Sequence, residues 1–172
     1  EFRRVLFRSA SPLGEGFQDW APDSRSILIE RRTADVKDRT LFLGAIDGSA
    51  LQPLYRQHDD KFLPSNDQHA LFSPDGKQIA FSSDADGWNH LYVMNRDGSG
   101  VRHLTKGSFG VSFPTWTRDG KAIAFCSSEA GTEQRQVYAV IVEKGERAGR
   151  TAATPTDRRS SADGVRGKQS RR

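Results

Sequence analysis

Short apolar runs alternate with polar turns along the chain, and one such pattern recurs three times. It reads WAPDSRSILI from Trp20, FSPDGKQIAF from Phe72 and WTRDGKAIAF from Trp116, so the copies are 52 and 44 residues apart. In each copy an aromatic residue ends one strand, a polar turn containing Asp follows, and an apolar β-rich run begins the next strand. Self-similarity at this spacing is typical of stacked repeats rather than of a single globular motif.

The middle copy predicts four short strands, at 71–73, 78–83, 89–95 and 101–105. Two tight turns separate them. In the first, at 74–77, proline fixes φ, aspartate can accept a hydrogen bond from a nearby backbone N–H, and glycine accepts a positive φ. The second turn, at 96–100, also contains an Asp-Gly pair.

The other two copies predict the same elements. The strands are expected at 27–30, 40–45 and 52–55 in the first copy, and at 115–117, 122–127 and 136–142 in the third, followed by a turn at Gly145. Short antiparallel strands in groups of four are typical of a propeller blade. No segment has a long 3.6-residue period, so few helices are expected.

The apolar runs at 79–81 and 137–142 do not alternate cleanly, which indicates sheets that are buried on both faces. Stacked blades have such sheets, whereas a meander-type β-sandwich, the alternative, needs only one buried face for each sheet. The repeat in register favours the propeller. Because propellers carry about four to eight blades, we predict an all-β fold that is an incomplete β-propeller of about three four-stranded antiparallel blades.

The two ends of the chain differ from the middle. Residues 1–9 read EFRRVLFRS. The DNA sequence GAG TTC AGA CGT GTG CTC TTC CGA TCT, which looks like a common sequencing-library adapter, would encode this peptide. We interpret these residues as an assembly artefact, the alternative being a genuine basic arm. Residues 157–172, DRRSSADGVRGKQSRR, are interpreted as a similar artefact or a disordered basic tail. The propeller domain is therefore predicted at 10–156.

The basic charge lies at these ends. The whole chain has a net charge of +4, with 26 basic and 22 acidic residues, but 10–156 has 17 basic and 19 acidic residues. The predicted domain is thus slightly acidic, and it lacks the electrostatic footprint of a nucleic-acid-binding protein. It has no run of eighteen apolar residues, so no membrane span is predicted. The sequence leaves open whether the compartment is periplasmic or cytoplasmic.

Candidate metal and thiol sites are weak in the sequence. Asp84 and Asp86 begin an acidic, glycine-containing segment, but position 12 counted from Asp84 is Asn95, where an EF-hand needs glutamate. A hairpin connection is the preferred interpretation. The four histidines, His58, His69, His90 and His103, are dispersed without metal-ligand spacing. The single cysteine, Cys126, is expected to be a small buried residue.

Other polar and aromatic residues have mainly structural interpretations. Trp88 is predicted to pack between blades rather than to line a substrate channel. The four histidines are interpreted as surface or strand-packing residues, with a bond to a neighbouring blade as the alternative for His90. The acidic pair at 59–60 is interpreted as a solvated loop. Arg31, Arg32, Lys37 and the acids between them form a mixed-charge hairpin tip, also solvated. No catalytic, cofactor-binding or metal-ligating residue is predicted, and no cofactor is expected.

The repeated pattern resembles the TolB-type, WD-like propeller repeat. The middle copy contains the segments of that repeat in the same order, namely SPDGKQIAF, LYVMNRDGSG and VRHLT. Three stretches of the chain are also similar to the propeller of the prolyl oligopeptidase clan. They read SDADGWNHLYVMNRDGSG, IERRTADVKDRTLFLGAIDG and HDDKFLPSNDQHALFSPDGK. Within that clan the dipeptidyl peptidase IV-like and acylaminoacyl peptidase-like enzymes are the most similar. The resemblance covers about 18–151.

The peptidase resemblance implies a propeller that caps and filters access to an α/β-hydrolase domain carrying a Ser-Asp-His triad. This chain contains no G-x-S-x-G and no adjacent glutamate pair of the kind that anchors substrate in the dipeptidyl peptidases. The expected partners are thus the hydrolase domain of a parent chain and a peptide substrate. The second hypothesis is a TolB-like protein-interaction propeller without enzymatic activity.

Overall fold

The computed structural model describes residues 15–63, 69–127, 135–143 and 146–148. The end segments interpreted as artefacts, 1–9 and 157–172, and the predicted turn at Gly145 lie outside them. All regular elements of the described residues are β-strands. Within these ranges there is no helix long and apolar enough to cross a membrane.

The described strands form three four-stranded antiparallel sheets. The first contains β1 (Glu15–Trp20), β2 (Ser26–Arg32), β3 (Asp38–Ala45) and β4 (Leu51–His58). The second contains β5 (Ala70–Phe72), β6 (Gln78–Ser83), β7 (His90–Asn95) and β8 (Arg102–His103). The third contains β9 (Val111–Trp116), β10 (Ala122–Ser127), β11 (Gln136–Ile141) and β12 (Glu146–Ala148). Each sheet is a simple meander, because every strand pairs with its neighbours in sequence.

The predicted all-β class and incomplete propeller architecture are confirmed, and most strand positions are close to those expected. The β6 and β10 bounds coincide with the predicted strands at 78–83 and 122–127. The predicted fourth strand at 101–105 is shorter, since only Arg102 and His103 pair with β7. The next two residues turn inward, where Leu104 is buried in the core between the second and third sheets.

The middle sheet is covered on both faces. In β6 every residue after Gln78 is buried. One core contains Leu28 and Leu41 of the first sheet with Ile79 and Phe81 of the second. The other core joins Leu91 and Val93 of the second sheet to side chains of the third. A two-layer sandwich does not bury one sheet between two others, so this arrangement fits stacked blades.

The third sheet alternates between buried and less buried positions in β10 and β11, and one prediction is wrong for this reason. Residues 137–142 were expected to be covered on both faces, but β11 alternates and Val137 is 48% exposed. Among the described residues no sheet packs against that side of the third sheet. The same alternation in β10 leaves Cys126 half-buried rather than buried.

The sheets have two distinct ends. The turn end carries the β1–β2 and β3–β4 turns and their counterparts in the other sheets. The loop end carries the connections β2–β3, β4–β5, β6–β7 and β8–β9. At the loop end the Leu63 N–H donates to the Val36 carbonyl at 2.7 Å, and the Val111 N–H donates to the Asn89 carbonyl at 2.7 Å. These bonds hold neighbouring connections against one another.

Turn chemistry explains why the repeated pattern contains aspartate after a hydroxyl residue. Ser73 Oγ donates to Asp75 Oδ1 at 2.7 Å and accepts the Gln78 N–H at 2.9 Å. Thr117 makes the same bonds with Asp119 at 2.7 Å and Ala122 at 3.0 Å. These bonds satisfy backbone groups that a tight turn otherwise leaves unpaired.

We expect Ser73→Ala to lower the free energy of unfolding by about 1–2 kcal/mol, because the Gln78 N–H loses its side-chain acceptor. The turn itself should survive, since Ala21 occupies the same position in the first copy. Urea unfolding followed by circular dichroism measures the change. The control is Ser108→Ala at an exposed position, which should change stability by less than about 0.5 kcal/mol. Equal changes in the free energy of unfolding for the two substitutions would show that the Ser73 hydroxyl does not stabilise this turn.

Candidate functional site

The β6–β7 connection at the loop end lies between two groups of polar side chains. It runs over residues 84–89, directly after the buried end of β6. Asp84 bonds to the first sheet through Gln57, whose Nε2 donates to Asp84 Oδ1 at 2.6 Å. Asp86 lies close to two histidines of the second sheet. A turn closed by the Gly87 N–H donating to the Asp84 carbonyl at 2.9 Å places the two carboxylates.

A buried arginine, 5% exposed, forms the first group. Arg39 Nη2 donates to Gln57 Oε1 at 3.1 Å and to the Ser82 carbonyl at 2.9 Å, so it joins the first sheet to the second. Burial lowers the pKa of Arg39, and the Glu30 carboxylate, 3.7 Å from Nη1, opposes that shift. Since the arginine pKa starts far above neutrality, the side chain stays charged.

A crevice beside Arg39 has room for about one water molecule. Glu30, Tyr55, His69 and Ser82 are among its lining residues. Such a volume is far below that of a peptide-binding pocket. The Arg39 group is therefore a structural link between two sheets, and it offers no substrate site of useful size.

The second group contains Asp86, His90 and His103, whose potential ligand atoms all lie within 4.8 Å of one another. Asp86 Oδ2 is 3.7 Å from His90 Nε2 and 3.7 Å from His103 Nε2. His90 is 1% exposed, its Nδ1 lies 3.2 Å from Thr105 Oγ1, and its Nε2 lies 3.0 Å from the Gly107 carbonyl. The carboxylate of Asp86 is 42% exposed, so solvent reaches the group from that side.

The His103 ring is fixed by stacking on Tyr92, with centroids 4.3 Å apart and planes within 7°. Its Nε2 is buried and has no hydrogen-bond partner. Burial lowers the pKa of His103, although the Asp86 carboxylate opposes the shift, so the neutral imidazole predominates at pH 7. Burial, assisted by Asp86, raises the pKa of Tyr92 to about 12, so its phenol stays protonated.

His58 also contacts carboxylates, but its arrangement differs from that of the Asp86 group. Its Nδ1 lies 2.9 Å from Asp38 Oδ1 and its Nε2 lies 3.2 Å from Asp60 Oδ1. The bond to Asp38, and then that to Asp60, raises the pKa of His58. The two carboxylates lie on opposite ring nitrogens, so the three side chains do not converge on one point.

Sequence reasoning missed the Asp86 group. The four histidines were interpreted as dispersed, but pairing of β7 with β8 places Tyr92 opposite His103 and brings His103 beside His90. The Asp86-to-His90 spacing of four residues was the available signal. His90 contacts Thr105 and the Gly107 carbonyl, both in the connection that follows its own sheet, so neither contact is a bond to a neighbouring blade.

Other residues that the sequence singles out lie at the loop end without joining a site. Trp88 was interpreted as a packing aromatic, but it is 47% exposed because it lies on the connection beyond the stacked sheets. Asp59 accepts the N–H groups of Lys61 and Phe62 at 2.8 and 3.1 Å, and the Asp60 side chain is fully exposed, as a solvated loop requires. The absence of catalytic residues stays a prediction.

Comparison with known proteins places the chain among propeller repeats. The family model described as the TolB beta propeller domain matches residues 63–166. The Tol-Pal system protein TolB of Anaeromyxobacter dehalogenans is 36% identical over 97 residues, 56% of this chain and 20% of that protein. The uncharacterized peptidase YuxL of Bacillus subtilis is 45% identical over 53 residues, 30% of this chain and 8% of that protein.

Among solved structures, dipeptidyl peptidase 4 of Porphyromonas gingivalis has the same fold over 72% of this chain and 18% of its own length. The TM-score is 0.59 and the sequence identity is 17%. The chain therefore spans a fifth or less of the length of these relatives.

Proposed function

This chain belongs to the TolB beta propeller domain family, and on that premise we propose that it is the propeller portion of a serine peptidase, which gates peptide access to a separate α/β-hydrolase domain. The observation that carries the proposal is the 45% identity to a peptidase over 53 residues. The propeller fold that this chain shares with a dipeptidyl peptidase is consistent with it.

The exposed aromatic residues of the first sheet support a larger ring. Trp116 ends β9, and its Nε1 donates to the Leu71 carbonyl of the preceding sheet at 3.3 Å. Trp20 holds the corresponding place at the end of β1, but it is 50% exposed and packs on Phe17, which is 57% exposed. A further blade against the first sheet would cover both side chains, as the second sheet covers Trp116.

In this proposal the propeller supplies no bond-breaking chemistry. Its sheets form a wall that limits the size of the peptide, and the nucleophile, base and oxyanion hole belong to the hydrolase domain. The partners would be that domain and a short peptide. The exposed residues 33–35 of the β2–β3 connection are a candidate docking contact, because they lie at the loop end. The charged residues beside them, Arg31, Arg32 and Lys37, were expected to be solvated but are half-buried.

A second candidate is a protein-interaction propeller without an enzyme domain. It is favoured by the longer match to the Tol-Pal protein, 97 residues against 53 for the peptidase. In that case the loop end and the exposed sheet faces would contact other proteins rather than a hydrolase domain.

The test begins with the reading frame on the source DNA beyond codon 156. The peptidase proposal expects G-x-S-x-G followed by Asp and then His. The full-length product should then react with a fluorophosphonate probe, and replacing the serine of that motif with alanine should abolish labelling. A stop codon after a few more blades, or an open frame whose product does not react, would refute the peptidase and favour the interaction propeller.

A further inference from the structure

We propose that Asp86, His90 and His103 bind a single divalent cation of the zinc type. Two imidazoles and one carboxylate are a donor set that zinc and its neighbours in the transition series accept. Three protein ligands leave a fourth position for water or for an outside ligand. The inference does not depend on the peptidase proposal, since it concerns residues within one sheet.

The distances from Asp86 to the two histidines are close to those that a tetrahedral ion requires. Zinc lies about 2.0–2.2 Å from nitrogen and oxygen ligands, so its ligand atoms lie about 3.3 Å from one another. Asp86 Oδ2 is 3.7 Å from each histidine Nε2. The ligand atoms of the two imidazoles lie within 4.8 Å of each other, so the rings must also approach when the ion binds. For Asp86 a displacement of a few tenths of an ångström is enough. Asp86 can supply it, because its side chain is 42% exposed and the following residue is Gly87, with φ +95° and open space around it.

The His103 nitrogen is an independent sign that a ligand is expected. Its Nε2 is buried without a hydrogen-bond partner, and a buried polar atom of this kind is costly. The ring is held by its stack on Tyr92, so the atom is fixed beside Asp86. A cation at this point would satisfy the nitrogen and the carboxylate together.

His90 has the outer partner that metal-bound histidines usually have. With Nε2 on the ion, Nδ1 carries the proton and donates to Thr105 Oγ1, which lies 3.2 Å away. Thr105 is buried and its hydroxyl also accepts the Leu91 N–H at 2.9 Å, so this partner is itself held in place. The Gly107 carbonyl lies 3.0 Å from Nε2, on the side of the ring where the ion would bind. It must therefore move aside or become an oxygen ligand of the ion.

The ion would fasten the outer edge of the middle sheet. Strand β8 has only two residues, and His103 is one of them. Asp86 lies on the connection that also bonds the first sheet through Asp84. Binding therefore would join the short edge strand to the connection and to β7, and the chain should become more resistant to unfolding.

The test uses the untagged 172-residue chain, stripped with a chelator and titrated with Zn²⁺ in a calorimeter. We expect one ion per chain, a rise in Tm with Zn²⁺, and a visible absorption spectrum of tetrahedral type when Co²⁺ replaces it. Excess Ca²⁺ should not displace the ion, because calcium prefers an all-oxygen shell.

Two variants remove a ligand and one serves as a matched control. Asp86→Asn and His103→Gln should each weaken Zn²⁺ binding by at least about 100-fold, since even outer partners of metal sites are worth about 10–100-fold. His58→Gln removes a histidine whose nitrogens face two other aspartates, and it should leave affinity and stoichiometry unchanged.

Circular dichroism shows whether each variant is folded. Asp86→Asn keeps the proposal testable if His103→Gln does not fold, because Asp86 lies on an exposed connection. Absence of binding to the original chain would overturn the proposal. Equal affinities of the chain and all three variants would overturn it too, as they would show that zinc binds elsewhere on the surface.

Discussion

Phe81→Ala is expected to lower the free energy of unfolding by about 3–5 kcal/mol, the usual cost of truncating a buried phenylalanine to alanine. Phe81 is 2% exposed and lies in the core between the first and second sheets. Its ring centroid is 4.6 Å from that of Tyr55 in the first sheet and 5.5 Å from that of Tyr92 in its own sheet. Alanine would leave a cavity that these two rings cannot fill.

Urea unfolding followed by tryptophan fluorescence measures this change. Phe81→Leu, which keeps most of the volume, is the milder variant if the alanine protein is unfolded in buffer. The control is Phe62→Ala, because Phe62 is 62% exposed and its loss should cost less than about 0.5 kcal/mol. If both alanine variants unfold at the same urea concentration, Phe81 does not lie between two sheets.

Gly98→Ala is expected to cost about 2–4 kcal/mol, and the reason is the close approach of two sheets. Gly98 has φ +87°, and a Cβ at this position would lie 2.9 Å from the Leu54 carbonyl oxygen and 3.1 Å from the Leu54 Cα. Both are backbone atoms of the first sheet, so neither can move aside alone. The substitution combines a left-handed backbone, costing about 1–2 kcal/mol, with a clash between sheets.

Gly48→Ala separates these two costs. Gly48 stands in the equivalent Asp-Gly turn of the first sheet with φ +77°, and a Cβ there meets nothing within 4 Å. Its substitution should carry the backbone cost alone, about 1–2 kcal/mol. Thermal or urea unfolding of the pair gives the difference, which we expect to be at least about 1 kcal/mol. Equal losses would mean that the turn after β7 does not approach the first sheet.

The repeated turns explain how much of the fold is predictable from the sequence. Each turn encodes its own geometry, since a hydroxyl residue, an aspartate and a residue with positive φ follow in order at 73–76. Strands beside such turns are therefore located to within a few residues. Even the first copy, where Ser24 replaces glycine at φ 55°, keeps the turn.

Features that depend on a neighbouring sheet were not predictable in this way. Arg39 lies in a stretch of charged residues, and only the approach of Ser82 and Gln57 makes it a buried link. Val137 lies in an apolar run, but its exposure depends on what covers the third sheet. The Asp86 group depends on the pairing of β8 with β7, and a two-residue strand carries almost no signal of its own.

The incomplete propeller requires sheets that pack face to face, and a double-mutant cycle between Tyr55 and Phe81 tests this packing most directly. Their rings belong to different sheets and lie 4.6 Å apart. Single and double leucine variants should show a coupling energy of about 0.5–1.5 kcal/mol. Tyr55 paired with Phe125 of the third sheet is the control and should be additive within about 0.5 kcal/mol. Additivity of Tyr55 and Phe81 as well would contradict the stacked arrangement.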